Sequence, residues 1–527
     1  ALAVALLGIA VVSYRSWMDW GARPPAQRAG GYGEAVGEAT FVGRQACAAC
    51  HPREVELWRG SDHDLAMQAV DEKTVLGDFD NATFTYFGVT STFFKRDGKF
   101  FVRTDGPDGE LHEYEIAYTL GASPLQQYLV PFRGGRYQAL SIAWDTRRRE
   151  QGGQRWFHLY PDEKIDHADL LHWTRPNQNW NFMCAECHST NLKKNYRLDG
   201  NRYETTWSEI DVSCEACHGP GSRHVAWAKV ARRGDQAEKG KTRGLLVVLK
   251  DRGTWVPDPE KGTARRASPP GPRREVEACA RCHSRRVVIR ADYVHGRPLL
   301  DTHRLALLRE GLYHADGQLQ EETYVYGSFL QSRMYRAGVT CSDCHEPHSL
   351  ALRATGNAVC TQCHQAAKFD TPSHHFHRPG SPGAACVECH MPVRTYMVVD
   401  PRRDHSLRIP RPDLSVRLGT PDPCTACHRD RAPGWAAETV ARWSGSKRRS
   451  GPHFGDALHL GRSGHPGAEA ALRELATNPE APAIVRASAV SLLRRYPTPA
   501  ALGVIRRALG DRDPLVRAAA VRALEIT

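Results

Sequence analysis

Eight copies of Cys-x-x-Cys-His constrain this chain more than any other feature, because together they use all sixteen of its cysteines. They run Cys47–His51, Cys184–His188, Cys214–His218, Cys279–His283, Cys341–His345, Cys360–His364, Cys386–His390 and Cys424–His428. At the chain's Cys and His frequencies, chance supplies only about 0.02 such motifs.

The pattern is an attachment site for c-type haem. Two thiols two residues apart form thioethers with the two vinyl groups on one porphyrin edge. The histidine that follows is swung under the ring, where its imidazole ligates the iron. The expected thioethers are at Cys47 and Cys50, Cys184 and Cys187, Cys214 and Cys217, Cys279 and Cys282, Cys341 and Cys344, Cys360 and Cys363, Cys386 and Cys389, and Cys424 and Cys427. The expected proximal ligands are His51, His188, His218, His283, His345, His364, His390 and His428. Structural zinc also uses CxxC pairs, but it takes four ligands per ion and leaves the histidine after every second Cys unexplained. A disulfide framework suits small secreted domains rather than 527 residues. The chain therefore reads as a c-type cytochrome with eight covalently bound haem c, each carrying iron.

Seventeen further histidines remain for the distal faces, since the chain has 25 and the motifs use eight. His63 follows the first motif, and His224 follows the third across a Gly-Pro-Gly turn. His348 lies in Cys-His-Glu-Pro-His, and His405 in Arg-Asp-His-Ser. His374, His375 and His377 crowd before Cys386, and one or two of them are expected to ligate. His167, His172, His295, His303 and His314 are weaker candidates, for which an ordinary surface or core role competes. Met334, shortly before Cys341, is a candidate for His/Met ligation, which raises a haem's potential relative to bis-His; packing against porphyrin is the competing role. His453, His459 and His465 are expected to be non-ligands.

Charge and hydropathy bound the rest. Hydrophobic residues make up 41% of the chain, too few for a polytopic membrane protein. A net charge of +12 ordinarily suggests an acidic partner or nucleic acid. Here the haem propionates offset it, and no nucleic-acid role is expected; the most basic run, Arg265 to Arg290, brackets the fourth motif. Residues 1–14 read as a signal anchor or a truncated signal peptide, shorter than the roughly 20 residues of a full span. Residues 15–40 read as a linker. Either form of leader exports the chain, and haem c attachment occurs outside the cytoplasm, so the expected location is the periplasm or the outer face of a membrane.

The fold class expected is mainly α with irregular, haem-packed segments over residues 41–430. A β-rich insertion is expected from about 83 to 160. It is marked by aromatic and β-branched runs and by turns at Asp97-Gly98, Asp105-Gly106 and Gly134-Gly135. The other seven motifs are expected on short helices and loops. Residues 431–527 read as an α-solenoid. Ile484-Val485-Arg486-Ala487 recurs as Leu515-Val516-Arg517-Ala518, with Asp513-Pro514 opening a helix, a spacing of about 31 residues typical of HEAT-type repeats. This tail is expected to be haem-free, separable by proteolysis near Arg431 to Gly434, and available to dock a partner or another copy of the chain.

Cys341-Ser-Asp-Cys-His-Glu-Pro-His with Cys360-Thr-Gln-Cys-His resembles the doubled CxxCH unit of multihaem cytochromes. His375-Phe-His-Arg-Pro-Gly-Ser-Pro-Gly-Ala-Ala-Cys-Val-Glu-Cys-His-Met-Pro resembles the cytochrome c-554 and c-prime family. That family is related by haem arrangement to hydroxylamine oxidoreductases and to multihaem nitrite and tetrathionate reductases, and the resemblance implies closely spaced stacked haems. Multihaem nitrite reductases usually mark the catalytic haem with CxxCK, and all eight motifs here end in His. The resemblance is specific as to cofactor and not as to reaction; the abundance of histidine for the distal faces favours an electron-transfer conduit served by other redox proteins or quinol-linked donors. The alternative is an oxidoreductase of small nitrogen or sulfur compounds at one haem with an open distal face.

Overall fold

The computed structural model describes residues 38–232, 242–249, 253–291, 293–445 and 452–525. Ala1–Thr40 and Phe41–Thr527 are two separate units. The expected anchor and nearly all of the expected linker lie outside the described residues. Among the described residues no helix is long and apolar enough to cross a membrane.

Each motif folds as a single tight turn. The backbone N–H of the histidine donates to the carbonyl of the first cysteine, at 2.9 Å in Cys47–His51, Cys279–His283 and Cys341–His345 and 2.8 Å in Cys424–His428. One helical turn puts residues three apart on one face, so both thiols point the same way. Local caps start these turns. The Asp422 carboxylate accepts from the N–H groups of Cys424 and Thr425 at 2.9 and 3.0 Å, and Thr340 with Asp343 forms a capping box ahead of Cys341. Between the motifs lie four two-stranded hairpins, such as Arg286–Val288 with His303–Leu305 and Val393–Tyr396 with Asp400–Arg403.

Ten strands fill the long gap between the first two motifs. They are β1 (Met67–Ala69), β2 (Asp80–Tyr86), β3 (Val89–Arg96), β4 (Lys99–Asp105), β5 (Leu111–Glu115), β6 (Tyr118–Leu120), β7 (Leu125–Phe132), β8 (Arg136–Ala139), β9 (Ile142–Asp145) and β10 (Arg155–His158). One antiparallel sheet has the order β2-β3-β4-β5; the other runs β1-β6-β7-β9-β10, with β8 paired to β7. Asp97 and Gly98 turn β3 into β4 with φ of 52° and 73°, the doubly left-handed turn that suits strand twist. Sheet pairing reaches back to Met67, before the expected start near 83. The two inner faces meet in aromatic rings. Phe93 lies flat on Trp156 at 3.6 Å, and Phe79 meets Phe93, Phe100, Tyr128 and Trp156 edge-on at 5.2–5.6 Å. A sandwich filled by its own aromatics holds its shape without a porphyrin, and no motif falls within it.

Six helices close the chain: α1 (Pro433–Ser444), α2 (Phe454–Ser463), α3 (Ala468–Thr477), α4 (Ala483–Leu493), α5 (Pro499–Ala508) and α6 (Pro514–Leu524). Asp513 caps α6, its carboxylate accepting from the Leu515 N–H at 2.9 Å, with Pro514 at the first helical position. The tail expected to be separable shares a hydrophobic core with the motif-bearing body. Ile484, Val485, Ala487, Ala489 and Val490 of α4 belong to one hydrophobic core with Leu305, Leu308, Tyr313, Leu319 and Leu330. Polar bonds lock the same seam. The Arg462 guanidinium donates to the carbonyls of Tyr313 and Leu308, both at 2.9 Å, and the Leu308 N–H donates to Ser488 Oγ at 3.0 Å. The helices buttress the motif-bearing body, because their apolar stripe is wider than their own packing covers.

Candidate metal centres

Six of the motif histidines face a second histidine ring across a gap. The ring centres are 6.2 Å apart for His51 with His224, His63 with His283, His374 with His390 and His377 with His428. They are 6.5 Å apart for His218 with His348 and for His345 with His405. These gaps are too wide for ring-on-ring contact. Two imidazoles bound to one metal from opposite sides, with bonds of about 2 Å and a ring nitrogen about 1.1 Å from each centre, would have centres about 6.2 Å apart. The residues present therefore fit a haem iron held on both faces.

The other ring nitrogens are occupied in the way a ligand requires. Nδ1–H donates to a backbone carbonyl in His224 (Arg243, 2.8 Å), His390 (Arg408, 2.7 Å), His405 (Arg403, 2.9 Å) and His188 (Ala66, 2.9 Å). In His348 it pairs with the Glu346 carboxylate at 3.0 Å. An engaged Nδ1 fixes the tautomer and leaves the Nε2 lone pair for a metal. Burial pushes His218 and His283 down to about 4, which keeps both imidazoles neutral.

Two motif histidines have no histidine opposite among the described residues, which include all of the chain's histidines. His188 is half-buried, and His364 meets Thr263 Oγ1 at 3.3 Å and the edge of Phe369 at 5.7 Å. His375 faces no motif histidine; its Nδ1 accepts the His377 N–H at 3.1 Å. Among the weaker candidates, His172 pairs with Asp105 and His303 with Glu186, each at 3.0 Å. His295 donates to the Ala216 carbonyl at 3.1 Å, while His314 leaves a buried Nε2 without a partner. His453 caps α2 and its ring nitrogen accepts from the Gly455 N–H at 3.0 Å. Met334 lies half-buried on the short helix Arg333–Ala337.

The thiols reveal how the motifs lie beside one another. All sixteen are free of disulfides. Thiols of different motifs touch at Cys47 and Cys214, Cys187 and Cys282, Cys279 and Cys341, and Cys360 and Cys386. Weaker neighbours complete the sequence. Burial pushes Cys217 up to about 11 with Cys282 adding to it, and Cys344 up to about 11 with Asp343 and Cys363 adding. Burial likewise raises Cys389, with Cys427 adding. The motifs thus follow the order first, third, fourth, fifth, sixth, seventh, eighth, and the second branches from the fourth. Pairing of rings crosses these steps. His63, next to the first motif, faces the fourth; His348, next to the fifth, faces the third.

A charged cluster sits at the branch, and no spacing in the sequence announced it. Burial works to raise the Glu186 carboxyl, yet His303, Arg286 and Arg281 hold it down at about 2. Arg286 lies 3.1 Å from Glu186 and 3.5 Å from the Cys187 sulfur. Burial pulls the Lys194 ammonium down beside the same groups.

Comparison with known proteins agrees with this chemistry. Residues 46–82 and 151–219 match the family described as cytochrome c554 and c-prime, residues 334–369 match the doubled CXXCH motif, and residues 457–525 match HEAT repeats. No curated protein matches the chain. Of solved structures, the outer cell wall cytochrome OcwA is similar at 18% identity and a TM-score of 0.49, over 92% of this chain and 99% of that one. The octaheme sulfite reductase MccA of Wolinella succinogenes is similar at 14% identity and a TM-score of 0.35, over 95% and 87%. The chain carries c-type cytochrome and HEAT-repeat segments, and it binds haem c covalently. Full attachment should give a pyridine haemochrome content of one haem per motif and no titratable thiol in the native protein. Zinc, or any free thiol, would contradict it.

Proposed function

We propose that the chain is a multihaem c-type cytochrome that carries electrons through eight closely spaced haems outside the cytoplasm. His51, His188, His218, His283, His345, His364, His390 and His428 would be the proximal ligands. His63, His224, His348, His374, His377 and His405 would be the distal ones, and His375, whose Nδ1 accepts the His377 N–H, would not ligate. The observation that carries the reading is the six opposed histidine pairs, because an iron filled on both faces exchanges electrons but offers substrate no site. The contiguous line of thiols supports it, since motifs in contact put porphyrin edges close together. Bound haem supplies the redox change. The protein's own part is to orient imidazoles through Nδ1, as at His188, His224, His348, His390 and His405, and to hold neighbouring motifs in register.

A second reading, an oxidoreductase of small nitrogen or sulfur compounds, is favoured by one place. No histidine opposes His188, and Lys194, Arg281 and Arg286 gather around its motif. Cations there would suit a small anion such as nitrite or tetrathionate. Steady-state assays of the haem-loaded protein with nitrite, hydroxylamine and tetrathionate separate the readings. The conduit predicts slow turnover beside fast exchange with soluble redox proteins. Turnover of about 10 per second, the median for enzymes, with ready cyanide binding at one native haem, would establish the oxidoreductase instead.

A further inference from the structure

The line of motifs has two ends, and the thiols mark both. Of the sixteen cysteines only Cys50, in the first motif, and Cys427, in the eighth, are exposed. On a haem c the thioether edge lies opposite the propionates, so an exposed thioether cysteine presents the uncharged side of the ring to solvent. At the first motif the flanking charges are mixed: exposed Arg53 and Arg59 stand among Glu54, Glu56 and Asp62.

The eighth motif is different. Around it Arg378, Arg429, Arg431 and Arg442 are exposed, against Asp430 and Glu438. Asp430 and its neighbour Arg431 pair at 3.1 Å, which leaves Arg378, Arg429 and Arg442 as the surplus over Glu438. An aromatic platform lies in the same place. Phe376 and Trp443 stack at 4.3 Å and 8° while remaining 41% and 39% exposed. Trp443 also meets the edge of the His377 ring at 6.4 Å, and Trp435 lies 5.1 Å from His428. An exposed stacked pair of large rings has little to contribute to the core. Flanked by arginines and meeting the His377 ring through Trp443, it has the make-up of an interface centre with a charged rim.

Resting on the conduit reading, we propose that the face bearing Cys427, Phe376, Trp443, Arg429, Arg431 and Arg442 is where electrons are exchanged with a soluble redox protein of acidic surface. The arginines steer the partner, and the aromatic pair seats an apolar patch beside the eighth haem. One electron passes from the partner's reduced cofactor to that haem's ferric iron, or back, with no bond made or broken.

The test is stopped-flow reduction of the full-length haem-loaded protein by reduced flavodoxin, an acidic flavoprotein, with photoreduced riboflavin as a small neutral donor. Raising ionic strength from about 0.01 to about 0.15 M shortens the screening length from about 30 to about 8 Å, and should slow reduction by flavodoxin but not by riboflavin. The triple variant Arg429→Glu, Arg431→Glu, Arg442→Glu should slow the flavodoxin reaction by about 10-fold or more at low salt. The corresponding triple Gln variant should fall between, with haem content and low-spin bands unchanged in both. Equal rates for all three proteins would overturn the proposal. So would arginine-dependent binding to vesicles of anionic lipid with the flavodoxin rate unaltered, or faster reaction with a basic cytochrome c. A failure of the conduit reading looks different: a fraction of the haems would stay oxidised after the fast phase, whatever the arginines do.

Discussion

Replacing His348 by glycine should turn one low-spin haem high-spin, and that haem should be the one attached at Cys214 and Cys217. The His348 ring lies 6.5 Å from His218 and within 11° of parallel to it, oriented by Glu346 at 3.0 Å. Glycine leaves nothing to reach the iron from that side, so the conversion should be complete for one haem and absent for the rest. Added imidazole should restore the low-spin spectrum, which general damage to the fold would not allow. Magnetic circular dichroism of the oxidised protein reads both changes. An unchanged spectrum would mean that His348 does not serve the third motif.

Replacing Ile484 by alanine should lower the temperature at which the haem bands themselves shift, not only that at which helical signal is lost. Ile484 is fully buried in the core that α4 shares with Leu308 and Tyr313, and truncating such a side chain costs about 2–5 kcal/mol. Two independently folded parts would behave otherwise, with helical circular dichroism melting early and the Soret band unmoved. That outcome would restore a separable tail. Arg462 offers a second probe of the seam, since its guanidinium closes two carbonyls of the motif-bearing body.

The motif positions, and six histidines that turn out to stand opposite motif histidines, were legible because covalent attachment writes its ligands as a short pattern. Which histidine faces which was not legible. His63 lies close in sequence to the first motif yet faces His283, and His224 lies beside the third yet faces His51. Partners drawn from different segments leave no spacing to read. The strand Leu125–Phe132, inside the expected β-rich stretch, carries no periodic signal of its own for another reason. Six consecutive residues in it are buried, and a strand covered on both sides shows no alternation of polar and apolar residues. The helical repeats were recognised by period, but an apolar stripe does not say what covers it. The cluster of Glu186, His303, Arg281 and Arg286 carries no local signature, because its members come together only when the second and fourth motifs meet.

The seam between the last helices and the body also has a consequence for the order of events during biogenesis. Leu308 and Ser488 are 180 residues apart in the chain and are bonded in the finished structure. Contacts of such separation form late, because the loop between them must close first. Until the last helices have been made, Leu305, Leu308 and Tyr313 lack the cover that Ile484 and its neighbours give them. The body around the fourth and fifth motifs is therefore closed last, by the segment of this sequence made last.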